Sequence, residues 1–267
     1  MKKISYDESK QIQLGILKDF IDFCDNNNLS YFIGYGSLLG AVRHKGFIPW
    51  DDDIDLQMPR EDYNKLIKIY NDMQATDQYR LISPYSKDAL HSYVKIIDTR
   101  TVKDESGVRY TGEKLGIDID VFPIDGLPDT MAEYDDLFNK IKKIYKKFVY
   151  LKSDFSGNKL KNTLLRFYQS LMGTGSNLIR KAEKMLSKYP YNNSKYVGTL
   201  ASYYDYYNDR HEKENYQGYV MLKFEDIDVK APIGYDCILK TIYGDYMKLP
   251  PEDERVTHHT YTAYWKD

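Results

Sequence analysis

Cysteine is scarce in this chain: Cys24 and Cys237 are the only two in 267 residues, too few for a disulfide framework. Neither belongs to a CxxC pair, which leaves no clustered set for a structural zinc and points to a reducing compartment. The N-terminal run MKKISYDESK lacks the apolar stretch of a secretory signal. No segment approaches the roughly 18 uncharged residues that a spanning helix needs. An excess of one charge is missing too. With 38 basic and 40 acidic residues the formal net charge is -2, so no global basic field recruits nucleic acid. These absences together lead us to expect a cytoplasmic protein, with peripheral contact at the inner face of a membrane left open.

What the chain does have is tyrosine, 27 residues of it, and an ordinary globular balance of 42% hydrophobic and 29% charged residues. Tyrosine pairs a flat apolar face with a polar tip, which suits wet clefts and sugars, although a compositional bias explains the count equally well. Ser5 and Glu8 stand at capping-box spacing, and Ile12, Ile16, Phe20 and Phe23 follow at helical intervals, which predicts a helix to about Cys24. YFIGYGSLLGAV then reads as a strand turning into a helix. Ile54, Leu56 and Met58 alternate with Asp53, Asp55 and Gln57, the period of a half-buried strand that Pro59 ends. Tyr63, Leu66, Ile67 and Tyr70 line the next helix. Residues 92–98 and 115–122 read as further strands. From about 131 to 188 the pattern is helical and lysine-rich, with a break near 153–158. A weaker strand follows at 195–200, and the C-terminal segment begins as a helix and ends in a proline-marked loop.

The sharpest local feature is PWDDDIDLQMP at 49–59. If residues 51–56 are extended, Asp51, Asp53 and Asp55 share one face, and Asp52, Ile54 and Leu56 take the other. Carboxylates stacked at that spacing repel one another unless a cation sits among them, and hard oxygen ligands select Mg²⁺, Mn²⁺ or Ca²⁺. A solvated acidic turn is the simpler alternative, but flanking Trp50, Ile54 and Leu56 argue against it. An EF-hand loop is excluded, because Leu56 stands where glycine is required. A second acidic strand, LGIDIDVFPID at 115–125, places Asp118 and Asp120 on one face. Two such strands could hold one or two metals between them, an arrangement that suits phosphoryl transfer. Upstream, Gly36 and Ser37 lie where strand gives way to helix, a turn able to cradle phosphate. Arg43 and Lys45 add positive charge just before the aspartates. The GxxxxGK[ST] spacing of a Walker A loop is absent. The run IKKIYKKFVYLK, 141–152, offers either a basic face for an anionic membrane or a plain solvated lysine face.

Taken together, GSLLGAVRHKGFIPWDDDIDLQMPREDY, IDVFPIDGLP and YGDYMKLPPEDERVTHH resemble, in that order, the motifs of the LicD family, which is similar to the fukutin and fukutin-related transferases. The resemblance implies an α+β fold: a nucleotidyltransferase-like mixed-sheet core with flanking helices in residues 1–130, and a mostly helical half, 131–267, completing the cleft of a single domain. It implies metal-dependent transfer of phosphocholine, or a similar alcohol phosphate, from a CDP-linked donor to a cell-surface glycan or lipid-linked precursor. The cofactor would be Mg²⁺ or Mn²⁺ and CDP-choline the foremost donor. Carried over by position, Gly36 and Ser37 match the family's turn, Asp53 and Asp55 the paired ligands, and Asp120 a third carboxylate that is a candidate base or a ligand. Asp51 lies in the same acidic run, Asp118 joins it as a candidate ligand, Arg43 and Lys45 are candidate phosphate contacts, and His258 is a phosphate contact or a loop residue. Two rivals stay open: a DxD glycosyltransferase or nucleotidyltransferase, and a non-enzymatic metal- or glycan-binding module.

Overall fold

The computed structural model describes residues 1–73, 77–86, 89–105, 114–152, 158–172, 175–201, 207–257 and 261–267. Helix α1, Tyr6–Asn26, starts at the expected capping box: the Ser5 hydroxyl accepts from the Glu8 amide and the Glu8 carboxylate accepts from the Ser5 amide. Its buried stripe contains Ile12, Ile16, Phe20 and Phe23, the four residues spaced for it. After β1, Phe32–Ile33, comes α2, Tyr35–Arg43, and then β2, Asp55–Pro59. Helix α3, Arg60–Met73, buries Tyr63, Leu66 and Tyr70. β3, Tyr79–Ile82, β4, Val94–Asp98, and β5, Thr101–Glu105, lead to the long β6, Asp118–Leu127.

The sheet runs β1-β2-β6-β4-β3. β6 is its centre, parallel to β2 on one side and antiparallel to β4 on the other, so all ten of its residues are buried. A strand flanked on both sides and covered on both faces reads as a near-continuous apolar run. Here the acidic residues that interrupt IDIDVF need a local reason. The fold is α+β with a mixed sheet, as expected.

The lysine-rich stretch forms α4, Met131–Lys152, α5, Lys159–Met172, and α6, Ser176–Leu186. The break expected near 153–158 falls on residues of which 153–157 lie outside the described set. Tyr134, Leu137, Phe138, Ile141, Ile144, Tyr145 and Phe148 of α4 build a second core with Ile179, Ala182 and Leu186 of α6. Each large apolar side chain taken from water contributes roughly 2 kcal/mol, against well under about 1 kcal/mol for a surface pair such as Lys140–Asp136, so packing holds α4 in place. β7, Tyr196–Gly198, matches the expected strand at 195–200 and extends the sheet from the end of β6, followed by β8, His211–Glu212.

Two further pairings had no clear sequence signal. β9, Tyr219–Phe224, and β10, Ile227–Pro232, form a hairpin, and β11, Tyr261–Trp265, pairs with β5. Between them lies α7, Tyr235–Tyr243. Through Phe224, Ile227, Val229, Leu239 and Ala263 the chain returns to the first core, where these side chains pack with α1, β2 and β6. No helix among the described residues is long and apolar enough to cross a membrane.

Candidate active site

Asp55 opens β2 and stands in register with Asp120 on the parallel neighbour β6, so two carboxylates occupy adjacent positions on one sheet. Residues 51–54 precede the strand, yet burial alternates through them as expected. Asp52, Ile54 and Leu56 are buried, while Asp51, Asp53 and Asp55 are half-buried on the other side. Two tethers hold this segment. The Ser37 hydroxyl donates to the Asp53 carbonyl at 3.3 Å and accepts from the Asp55 amide at 2.9 Å. From α1, Gln13 Nε2 donates to the carbonyls of Asp52 at 2.9 Å and of Asp118 at 3.2 Å, tying the acidic segment to β6. Ser37 therefore serves the acidic segment with its side chain.

The electrostatics follow from this crowding. Burial, followed by Asp53, Asp120 and Asp51, holds the Asp55 carboxyl well above the usual range. Asp120 is pushed up to about 6, by burial first and the neighbouring Asp118 charge, against the opposing pull of Lys95. Asp118 goes the other way. Burial is overcome by Lys103 and Lys95, which hold its carboxyl far below the usual range. Lys95 Nζ on β4 lies 2.5 Å from Asp120 Oδ1 and 2.8 Å from Asp118 Oδ2, and Lys103 Nζ on β5 lies 2.5 Å from Asp118 Oδ1. The Lys95 contact with Asp118 Oδ2 is ionic without hydrogen-bond alignment. Asp118, held by both Lys95 and Lys103, has its charge matched on two sides, which is the reason an acidic side chain survives in the centre of a buried strand.

The turn at the head of α2 is strained. Tyr35 adopts φ +46, and its hydroxyl donates to the buried Asp209 at 2.6 Å. A β-carbon at Gly36 would stand 2.6 Å from Asp51 Oδ2, so only glycine admits that carboxylate against the first turn of α2. Arg43 sits at the opposite end of the same helix, roughly 10 Å along its axis from Gly36. Its Nη1 donates to the Tyr246 carbonyl at 2.6 Å, anchoring α2 to the loop after α7. Lys45 is exposed in a left-handed conformation, φ +63, and its carbonyl accepts from the Glu225 amide. Glycines 40 and 46 let that loop close: a β-carbon on Gly40 would meet the Gly46 carbonyl at 2.4 Å. Thus the structure brings Gly36, Ser37, Asp51, Asp53, Asp55, Asp118 and Asp120 together and sets Arg43 and Lys45 apart from them. His258 lies outside the described residues.

Four participants escaped the sequence reading, Gln13 among them. Lys95 and Lys103 were isolated lysines in sequence, and only strand pairing puts them beside the aspartates. Tyr243, the last residue of α7, is 41% exposed. Even so, burial of its hydroxyl and the charges of Asp55, Asp51 and Asp53 push its pKa up. Among the described residues no three His, Cys, Asp or Glu side chains already converge as a ligand set. The donor chemistry is nonetheless that of a hard cation: carboxylate oxygens on adjacent strands, with Asp55 carrying charge that its surroundings disfavour.

Known proteins bear on this geometry. The family described as LicD/FKTN/FKRP, nucleotidyltransferase domain, matches residues 28–150. The lipopolysaccharide cholinephosphotransferase LicD of Haemophilus influenzae is 33% identical over 273 residues, covering 99% of each chain. The chain belongs to the LicD family. An uncharacterised Rickettsia typhi protein shares 43% identity over 63 residues, 23% of this chain and 20% of its own. The span that matches the LicD family description holds every acidic site residue together with Lys95 and Lys103. Gln13 and Tyr243 reach the same site from outside it, so the site of this LicD-family chain is assembled from the whole fold.

Proposed function

We propose that this LicD-family phosphotransferase moves phosphocholine, or a similar alcohol phosphate, from a CDP-linked donor to a hydroxyl of a cell-surface glycan or its lipid-linked precursor, releasing CMP. The carrying observation is the Asp55–Asp120 register pair beside Asp53, held by Ser37 and Gln13 next to a glycine turn. The full-length likeness to a lipopolysaccharide cholinephosphotransferase supports the substrate class.

Asp53, Asp55 and Asp120 would hold Mg²⁺ or Mn²⁺, which when bound neutralises charge on the transferred phosphoryl group. The turn at Gly36 offers backbone N–H groups at the start of α2 to donor phosphate oxygens. Lys95, already within 2.5 Å of Asp120, keeps that carboxylate facing its strand neighbour and adds positive charge beside the reacting centre. If the ion rests on Asp53 and Asp55 alone, Asp120 is instead the group placed to take the acceptor hydroxyl proton. Asp118 belongs to the lysine clamp in this scheme, and Asp51 to the turn. The work is done in the cytoplasm, where a buried Cys24 and an exposed Cys237 stay reduced.

The test is donor turnover. CDP-choline, CDP-ribitol and CDP-glycerol are each incubated with a lipooligosaccharide acceptor, and CMP and phosphodiester are measured. At least one donor should yield both, and Asp120→Asn should abolish the yield. Pyrophosphate release from a nucleoside triphosphate, with all CDP-alcohols inert, would overturn the reaction and leave the family standing.

A further inference from the structure

The charge of this chain is distributed very unevenly. Residues 137–182 carry eleven basic side chains and one acidic one, Asp154, a formal +10 in a chain whose total is -2. The segment covers most of α4, all of α5 and the first half of α6. In α4 the apolar side is consumed by the second core, where Ile144, Tyr145 and Phe148 are buried. That disposes of the simplest form of a membrane-lying helix at 141–152, because an interfacial helix must lay its apolar side into lipid. Over 137–151, α4 leaves Asn139, Lys140, Lys143, Lys146, Lys147 and Tyr150 outside.

The missing apolar side is on α5. Leu160, Leu164 and Phe167 are 72%, 60% and 66% exposed, and Tyr168 is 37% exposed. Their spacing of four, seven and eight residues puts them on one face of the helix. Exposed apolar residues scattered singly need no explanation, but a stripe of large ones on one helix face marks an interaction site. Lys159 and Lys161 flank the stripe at its start, both exposed, and α5 contains no Asp or Glu at all. A protein groove would be expected to place some acidic and some basic partners. Exposed lysines beside an apolar stripe, on a helix whose sequence holds no carboxylate, match an anionic bilayer, whose headgroups attract lysine while its acyl region takes leucine and phenylalanine.

We infer that α5 docks this protein on the surface of an anionic phospholipid membrane, with Leu160, Leu164 and Phe167 entering the interface and Lys159 and Lys161 held over the headgroups. The inference is independent of the reaction proposed above, since binding is read on the protein without substrates.

The full chain is sedimented with vesicles of phosphatidylcholine alone or carrying a third phosphatidylglycerol. Binding should be confined to the anionic vesicles and should fall steeply with salt, because the attraction is screened over roughly 8 Å at physiological ionic strength. Replacing the stripe, L160S/L164S/F167S, should lower binding at least about tenfold while leaving the unfolding temperature near that of the parent. K159Q/K161Q should lower it about fivefold per lysine and tests the same face without touching an apolar side chain. Equal binding to neutral vesicles, or none to either kind, overturns the inference. So does a large fall in unfolding temperature in the serine variant, which would mean the stripe is packed. A parent that self-associates through the stripe, becoming monomeric in the serine variant with vesicle binding unchanged, would assign the face to a second copy instead.

Discussion

Replacing Asp120 with Asn preserves shape while removing a charge the fold disfavours. In the metal-free protein the carboxyl is raised from its ordinary 3.8 to about 6, chiefly by burial. Between those values the native state binds the proton that the unfolded chain has released, so stability falls as pH rises through this window and the deficit is complete above the folded pKa. A shift of about two units corresponds to about 3 kcal/mol, of which about 2 kcal/mol develops between about pH 4.5 and about pH 7.5. Asn has no such term. Lys95 loses one partner in the variant but keeps Asp118 at 2.8 Å, and the pH-dependent part of that lost attraction is already contained in the folded pKa of Asp120. Urea unfolding in EDTA at the two pH values should therefore show the variant gaining about 2 kcal/mol on the parent from the lower pH to the higher. Saturating Mg²⁺ should stabilise the parent more at the higher pH, because the ion competes with the proton for the same oxygens, and should stabilise the variant little. Parallel pH profiles for parent and variant would refute the reasoning, since the carboxylate would then be solvated rather than crowded.

Other outcomes follow from the same geometry. Asp53→Asn should cut turnover by at least about 10²-fold with the fold intact by circular dichroism, and near-parental activity of the wild type in EDTA would defeat the metal assignment. Gly36→Ala places a β-carbon 2.6 Å from Asp51 Oδ2, so KM for the donor should rise while KM for the acceptor holds, and an equal rise in both would make the turn purely structural. Arg43→Met removes the bond to the Tyr246 carbonyl and should lower stability by about 1–2 kcal/mol in urea with kcat little changed, whereas a kcat collapse at unchanged stability would return Arg43 to the phosphate. Asp118→Asn leaves Lys95 and Lys103 without their shared partner. Because its folded pKa is depressed, its stabilisation is present above the ordinary carboxylate range and lost in acid, so the variant should be least stable relative to the parent at neutral pH and converge with it as pH falls.

Local signals located much of this molecule. The capping box at Ser5 and Glu8 set the start of α1, because a cap satisfies backbone donors within four residues. The alternation through 51–56 assigned the two faces of the acidic segment before any strand partner was known, because successive side chains must point to opposite sides of an extended chain. The two acidic strands and the glycine turn were legible for the same reason, and their order carried the family resemblance. What sequence could not decide was pairing. That Asp55 stands beside Asp120 follows from a parallel register between strands more than sixty residues apart, with β6 threaded between β2 and β4. The same threading delivers Lys95 and Lys103 to Asp118, turning a carboxylate that looked like a metal ligand into the partner of two lysines. Arg43 shows the converse. Its nearness in sequence to the aspartates suggested a phosphate contact, but a helix of nine residues carries it to the far end of α2 and into a bond with the C-terminal loop. Residue type and period are properties of a few neighbouring peptides, so a sequence determines them alone. Which charges meet in a low-dielectric interior depends on long-range strand order and on helix ends, and only the folded chain decides it.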